Sequence, residues 1–512
     1  MTQIDIASII AKMQQQETYP HSVSGSIKLV QTHISYLFLT GEYVYKLKKR
    51  VDFGFLDFST LEKRKHFLEE EIRLNSQIAP DLYLEVLPIV RQGDKLILGG
   101  DGEAVEYALK MRQFPQKNLF INLFENNKLS SDRLSELGKK VARFHQQAKT
   151  NEYIRSFGRV AKIKQAIDEN YQQTKKYIGT VQTQKQFDET KTFTDHFFSD
   201  RQELFQARID AHKIKECHGD LHLKNICWWQ NEIQLFDRIE FNEAFRFVDV
   251  MYDVAFTVMD LEIRDRRDLA NVFLNTYLEY TGDWSGLTVL SLYLSRQAYV
   301  RAKTNSMLLD DEGVSEADKQ QAKQTAADYY RQAWKYTKRQ SGKLILMSGV
   351  SGTGKSTAGK IIARKMNAIQ IRSDVVRKHL AGISLDEPGG DEIYTADMSQ
   401  KTYNRLRELG IMLAKEGFTV ILDAKYDRIA LRQPVIEQAQ AANIPLQIIH
   451  CIAPTEILRD RLSTRSGDVS DATPDLLRQQ LELFEEFGTG EQSYVTTIDT
   501  SNDNWQQNLK FK

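Results

Sequence analysis

Two runs of residues have the types and spacing to do chemistry on phosphate. The first is Gly349-Val350-Ser351-Gly352-Thr353-Gly354-Lys355-Ser356, followed by Thr357. It fits the pattern G-x-x-x-x-G-K-[ST] in full, between a strand-like run, KLILMS, and a helix-like run, STAGKIIARKM. The chemistry needs that context. Glycines let a backbone wrap an anion, successive N–H groups face it, and the helix that follows adds the positive end of its dipole. In such a loop Gly349, Ser351, Gly352, Thr353 and Gly354 form the cradle, with Thr357 on the first helical turn. Lys355 would reach the β- and γ-phosphates and Ser356 would hold Mg²⁺. The bland alternative, a glycine-rich turn without a ligand, does not call for Lys-Ser at the helix start.

The second run is His218-Gly219-Asp220-Leu221-His222-Leu223-Lys224-Asn225, with Leu235-Phe236-Asp237 a short hairpin further on. A loop of this kind can set one carboxylate beside an acceptor hydroxyl and an amide and a second carboxylate beside a metal. His218 is expected to brace the loop, and His222 to be incidental.

Further acids and arginines follow the glycine-rich loop. The next strand-like run ends in Ser373-Asp374, with Arg377 one helical turn on. A carboxylate at a strand's C-terminal edge faces the crevice where parallel sheets bind ligands, and a kinase needs a base there. Capping the following helix is the structural alternative for Asp374. VILD ends in Asp423, for which a metal shell, an acceptor contact and a plain structural role stay open. Arg461 and Arg465, spaced i, i+4, share a helix face and open a polar loop. Arginines on a mobile lid would neutralise a transferring phosphoryl group; a solvated charged helix is the alternative.

The elements that must position these residues fall into two patterns. Residues 26–50 are rich in Val, Ile, Tyr and Phe, break at Thr40-Gly41-Glu42, and read as the first strands of a meander. Residues 59–78 read as a helix capped by Ser59 or Thr60. Strand-like runs follow at 82–90, 95–100 and 105–114, then helices from about 130, strands near 225–238, and helices again to about 340. The segment 311–341 reads as a helical connector. From Gly342 five apolar runs (343–349, 368–374, 418–425, 446–453 and 494–500) alternate with helical segments. That alternation predicts a five-stranded parallel sheet covered on both faces.

Residues 342–500, with the GVSGTGKST loop, Asp374 and Arg377, VILDA, RDRLSTR, SDAT and Gln479-Gln480, resemble the P-loop kinase group that includes polynucleotide kinase, gluconate-type kinases and zeta-toxin-like proteins. The resemblance implies Asp374 as catalytic base and Arg377 as a contact to the substrate's phosphate or to the acceptor. Residues 25–300, with H-x-D-x-x-x-x-N and the later Asp237, resemble the aminoglycoside phosphotransferase family of the protein-kinase-like fold. That resemblance implies Asp220 as base, Asn225 and Asp237 as Mg²⁺ ligands, Lys46 of Val44-Tyr45-Lys46 on the nucleotide phosphates, and Asp253 as a brace of the catalytic loop. The fold's lysine–glutamate pair is assigned to Lys46 and Glu70, with Lys48, Glu69 and Glu71 as rivals, and Tyr107–Arg112 to the hinge. Two departures stand out: VQTHISYLF carries no glycine-rich loop, and Arg-Ile-Glu follows Asp237 where a protein kinase has Phe-Gly. The whole arrangement resembles a bacterial type that fuses these two modules in this order.

The implied plan is an α+β kinase-like bilobal domain (N-lobe 1–115, helical C-lobe 116–305, connector 306–341) followed by an α/β P-loop domain at 342–512. The expected cofactors are ATP and Mg²⁺, and the expected partners are small-molecule hydroxyl acceptors. A chain of 512 residues is too long for one core. Lys+Arg and Asp+Glu both total 69, which removes the electrostatic footprint of a general nucleic-acid binder. An RNA or nucleotide-sugar acceptor at the P-loop module, with a regulatory N-terminal module, remains the alternative. Three cysteines, Cys217, Cys227 and Cys451, give neither a disulfide framework nor zinc spacing. With no signal-like N-terminus and no long apolar run, a cytoplasmic protein is expected.

Overall fold

The computed structural model describes residues 5–23, 25–93, 95–464, 473–502 and 504–508. The chain divides into two compact units. One comprises residues 1–130, 147–166 and 205–260, the other 131–146, 167–204 and 261–512.

In the first unit, β1 (Lys28–Gln31), β2 (Ser35–Leu39), β3 (Tyr43–Lys48), β4 (Tyr83–Gln92), β5 (Lys95–Leu98) and β6 (Ala104–Arg112) form one antiparallel sheet in the order β1-β2-β3-β6-β4-β5. Side chains alternate across a strand. In β3 that sends Tyr45 and Leu47 into a core with Phe38, Ile89 and Ala108. Lys46 and Lys48 therefore face the other side, where helix α1 (Leu61–Asn75) lies. Thr60 starts α1 by accepting from the Lys63 N–H at 3.2 Å. Leu68 of α1 packs with Leu82, Leu109 and Met111. Tyr107–Arg112 does not form a hinge; these residues lie inside β6, paired with β3 and β4. Their alternating burial suits the middle of a sheet.

Further along are β7 (Ile214–Glu216), the hairpin β8 (Ile226–Trp229) and β9 (Glu232–Leu235), and β10 (Phe247–Asp249), which pairs with β7. Helix α2 (Val250–Glu262) follows directly.

In the second unit, α3 (Arg267–Thr281), α4 (Leu287–Met307) and α5 (Glu316–Tyr336) precede the second sheet. The connector segment has an apolar face. Ala322, Ala326, Tyr330 and Ala333 of α5 are buried, and Tyr330 meets Tyr299 of α4 edge-on at 5.0 Å. Then come β11 (Lys343–Ser348), α6 (Lys355–Met366), β12 (Ile369–Arg372), α7 (Ser373–Ala381), α8 (Ala396–Lys415), β13 (Thr419–Asp423), α9 (Ile429–Ala441), β14 (Leu446–Ile452), α10 (Thr455–Thr464), α11 (Leu476–Glu482) and β15 (Val495–Asp499). The five strands form one all-parallel sheet in the order β12-β13-β11-β14-β15. All their C-terminal ends meet one edge, where the loop after β11, helix α7 directly after β12 and Asp423 at the end of β13 lie. The outer side of β12 is closed by side chains of α3. Asn275 accepts from the Gln370 N–H at 2.8 Å and donates to the Ala368 carbonyl at 3.0 Å, and Asn271 donates to the same carbonyl at 2.9 Å.

Among the described residues no helix is long and apolar enough to cross a membrane.

Candidate active sites

The first site begins with Lys46. Its ammonium bonds Glu71 and Asp237, each at 2.7 Å. Glu71, not Glu70, is the partner: Glu70 turns outward to Arg73 at 2.9 Å. One residue along a helix is a rotation of about 100°, and the buried face of α1 runs through Leu68, Glu71 and Leu74. The second oxygen of Glu71 takes Lys48 at 2.7 Å, and Lys48 also pairs with Glu240. Asp237, Lys46, Glu71, Lys48 and Glu240 thus form one chain of charges, all buried apart from Asp237. Burial alone would lower the Lys46 pKa, but Asp237, Glu71 and Glu240 outweigh it and hold the ammonium well above its ordinary value. Burial pushes Glu240 up. Asp237 is pushed up by burial and down, more strongly, by Lys46 and Lys48.

Asp237 has φ +63°, a left-handed conformation rare outside glycine, and its N–H donates to the Tyr83 hydroxyl at 2.9 Å. Its side chain is 44% exposed, so one carboxylate edge stays open beside Lys46. The catalytic-loop residues converge on the same place. The Asn225 amide donates to both the carbonyl (3.0 Å) and carboxylate (3.1 Å) of Asp220, which turns Oδ1 of Asn225 outward. The Phe236 N–H, next to Asp237, donates to the Asn225 carbonyl at 3.1 Å. His218 Nε2 bonds the Phe236 carbonyl at 2.9 Å. Asp253, on α2, accepts from the N–H groups of His218 (2.6 Å) and Gly219 (2.8 Å). Gly219 has φ +86°, and a Cβ there would meet the Phe245 carbonyl at 2.5 Å, so the tight turn before Asp220 requires glycine. His222 is buried and faces Asp220 at 3.4 Å, a contact that an isolated histidine in the pattern does not signal. An amide oxygen and a carboxylate are the hard donors a Mg²⁺ ion takes, so Asn225 and Asp237 fit one.

The second site is built on the loop after β11. Gly349 has φ +136°, and a Cβ there would meet the Cys451 carbonyl at 2.5 Å, so the loop passes where only glycine fits. Gly354, at φ +74°, opens α6. Thr353 Oγ1 donates to the Val350 carbonyl at 2.8 Å, tightening the turn. Gly352 lies against the Leu458 carbonyl of α10. The Lys355 ammonium lies back on the Val350 carbonyl at 2.7 Å. Burial lowers the Lys355 pKa, opposed by the Asp423, Cys451 and Asp374 side chains. Ser356 Oγ and the exposed Thr357 side chain make no hydrogen bond among the described residues, while the Ser356 carbonyl accepts from Gln370 at 3.2 Å. Two hydroxyls at the start of α6, the glycine-lined turn before them and a lysine fit a polyphosphate with its cation.

Asp374 stands on the first turn of α7, whose N-cap is Arg372, so it does not cap the helix. Its carboxylate makes no hydrogen bond among the described residues. Asp423 is buried at the end of β13 and accepts from Gln370 at 2.8 Å. Arg377 is buried too. It donates to the Ile393 carbonyl and Ser399 Oγ, both at 3.2 Å, and covers the Tyr394 ring at 4.9 Å. Arg461 is not held out on a lid: it donates to the Gly352 carbonyl at 3.3 Å and the Thr500 carbonyl at 2.6 Å, tying the loop to the end of β15. Arg465 lies outside the described residues. Gln480 of α11, one of the residues that carry the P-loop kinase resemblance but given no role there, accepts from the Ser351 N–H through Oε1 at 2.8 Å.

Residues 344–487 match the AAA domain family model. A protein of Mycobacterium tuberculosis described as uncharacterised is 28% identical over 467 residues, 90% of each chain. A Mycobacterium bovis protein, also described as uncharacterised, matches with the same figures. Among solved structures, a gluconokinase from Sinorhizobium meliloti is 24% identical, covering 32% of this chain and 86% of that one with a TM-score of 0.24. A choline kinase from Cryptosporidium parvum is 12% identical, covering 65% of this chain and 96% of that one with a TM-score of 0.40. The matched residues hold the glycine-rich loop and, apart from Lys343, strands β11 to β14 of the parallel sheet. The N-terminal region has a buried Lys46–Glu71 pair and a braced His218–Asn225 loop, the two features the protein-kinase-like resemblance leads one to expect.

Proposed function

We propose that the protein is a bifunctional ATP-dependent phosphotransferase, each module transferring the γ-phosphoryl group of ATP to a hydroxyl of a small-molecule acceptor. What supports the reading is a lysine and a carboxylate at each of two separate places, the lysine suited to phosphate and the carboxylate to a hydroxyl proton. At the first place Lys46 is fixed by Glu71 and Asp237, and Asp220 is oriented by Asn225. At the second Lys355 sits within its loop and Asp374 stands at the sheet edge.

In each module the carboxylate, Asp220 or Asp374, takes the proton from the acceptor hydroxyl as its oxygen bonds to the γ-phosphorus. The bond from that phosphorus to the departing ADP breaks. The lysine stabilises charge on the phosphate oxygens without having to reorganise. Asn225 and Asp237 in one module, and Ser356 with Asp423 behind it in the other, would hold the divalent cation, which when bound neutralises phosphate charge. Equal numbers of acidic and basic residues favour small acceptors over a polyanion.

The test is labelled ATP offered with pools of small hydroxyl compounds, and separately with RNA, to the wild type beside Lys355→Ala and Asp220→Asn. Each variant should lose the labelling of one acceptor and keep the other. Labelling of RNA that Lys355→Ala abolishes would replace the small-molecule reading of the P-loop module. No labelled acceptor in either module would overturn the proposal.

A further inference from the structure

The glycine-rich pattern ends at Ser356, yet one side chain from far along the chain reaches into the loop. Gln480, on α11, places Oε1 2.8 Å from the Ser351 nitrogen. A backbone N–H can only donate, so the carboxamide's oxygen is the atom that faces it, and the orientation of the whole group is set. The amide nitrogen shares a carbon with that oxygen and lies about 2.3 Å from it, so two N–H donors border the loop at Ser351. Among the described residues they donate to nothing.

The position along the loop matters. Lys355, the residue that reaches the β- and γ-phosphates in loops of this pattern, rests its ammonium on the Val350 carbonyl, one residue from Ser351. The Val350 carbonyl and the Ser351 N–H belong to one peptide unit, so the Lys355 ammonium and the Gln480 carboxamide hold the same peptide of the cradle from its two sides. Gln480 is also not on a free lid. It is 9% exposed, and Leu477, one helical turn earlier, is buried with Val350, Leu458 and Leu462. α11 is packed onto the loop itself, so the amide belongs to the cradle's wall.

We propose that Gln480 is a phosphate-binding residue of the P-loop module, its carboxamide donating to the terminal phosphoryl group of a bound nucleoside triphosphate while Ser351 holds its oxygen. The inference rests on reading the loop as a nucleotide site. Its consequence is selectivity: Gln480 should strengthen binding of a triphosphate over a diphosphate. A plug that must leave when phosphate arrives would do the opposite.

The test is calorimetric titration of the full chain with ADP and with the hydrolysis-resistant imido analogue of ATP. The binding that Lys355→Ala removes is assigned to the P-loop. At that site Gln480→Ala should weaken the triphosphate analogue about tenfold and ADP less than about threefold, the loss of one hydrogen bond to a charged group. Gln480→Glu keeps an acceptor for Ser351 and adds a negative charge, so it should weaken the analogue about a hundredfold. It also carries the test if Gln480→Ala lowers the melting temperature. Equal weakening of both nucleotides, no change, or tighter binding in Gln480→Ala would overturn the role of Gln480 and leave the nucleotide site standing. Unchanged binding in Lys355→Ala would overturn both.

Discussion

Glu71 holds two buried lysines at once, one through each carboxylate oxygen. Removing its charge leaves Lys46 and Lys48 buried with too few partners, which costs about 3–5 kcal/mol when a buried pair is broken. We expect Glu71→Gln to lower the melting temperature and cut phosphotransfer by the N-terminal module at least a hundredfold. Glu70→Gln, which loses only a surface pair with Arg73, should change either by less than about twofold, as surface pairs contribute little. Thermal melts and acceptor labelling by the two variants check this. Asp237 makes a prediction in pH. Lys46 and Lys48 overcome the effect of burial and hold its folded pKa below the ordinary value. The stability it contributes is therefore full above the unfolded pKa of about 4 and is lost as pH falls through the lower folded value. The melting temperatures of wild type and Asp237→Asn should differ most near neutral pH and draw together below about pH 4. A gap that stays constant down to pH 3 would show that Asp237 adds no charge-dependent stability.

The strands were the easiest elements to read. Each of the five runs after Gly342 lies within two residues of its observed bounds, and β11, β13 and β14 are apolar on both faces, as strands buried between helix layers must be. The glycine-rich loop was equally visible, because its chemistry is local in sequence. What the sequence hid was phase and contact at a distance. Three consecutive glutamates at 69–71 differ only in the direction each faces, and that depends on how α1 packs on β3. Gln480 and Arg461 were legible as members of the P-loop resemblance, but their contacts with the loop, from more than a hundred residues away, follow from no spacing rule. Asn275 is of the same kind. Its side chain satisfies an N–H and a carbonyl on the outer side of β12, as a neighbouring strand would. Asn275→Ala should expose both groups and destabilise this edge by about 1–3 kcal/mol. Hydrogen exchange at the Gln370 amide should speed up by at least tenfold, with the amides of β11 unchanged. Equal protection in the variant would mean that water or Asn271 replaces the lost bonds.

At the scale of the molecule, the second unit joins the P-loop sheet to helices that precede it, and the joining residues serve the site. Asn271 and Asn275 close the edge of β12, whose end leads into α7 and Asp374. His379 of α7 bonds the Glu279 carbonyl at 2.7 Å and meets the Trp284 ring edge-on at 5.8 Å. Asp386, after α7, is held by Tyr280 at 3.0 Å and Arg143 at 3.1 Å. Every one of these partners lies before Gly342, where the second sequence pattern begins. A fragment of residues 342–512 would keep the whole glycine-rich loop and all five strands, yet expose an unprotected parallel edge and release the helix that carries Asp374. We expect it to self-associate by light scattering and to melt roughly 10 °C below the second unit in the full chain, the shift expected for a few kcal/mol of lost contacts. A monomeric fragment with an undiminished melting temperature would show that the sheet stands alone. If the fragment fails as expected, its loss of phosphotransfer says nothing about the chemistry of the loop. The two proposed activities must then be separated by single substitutions in the full chain, because cutting at the motif boundary removes the support of α7 together with the other module.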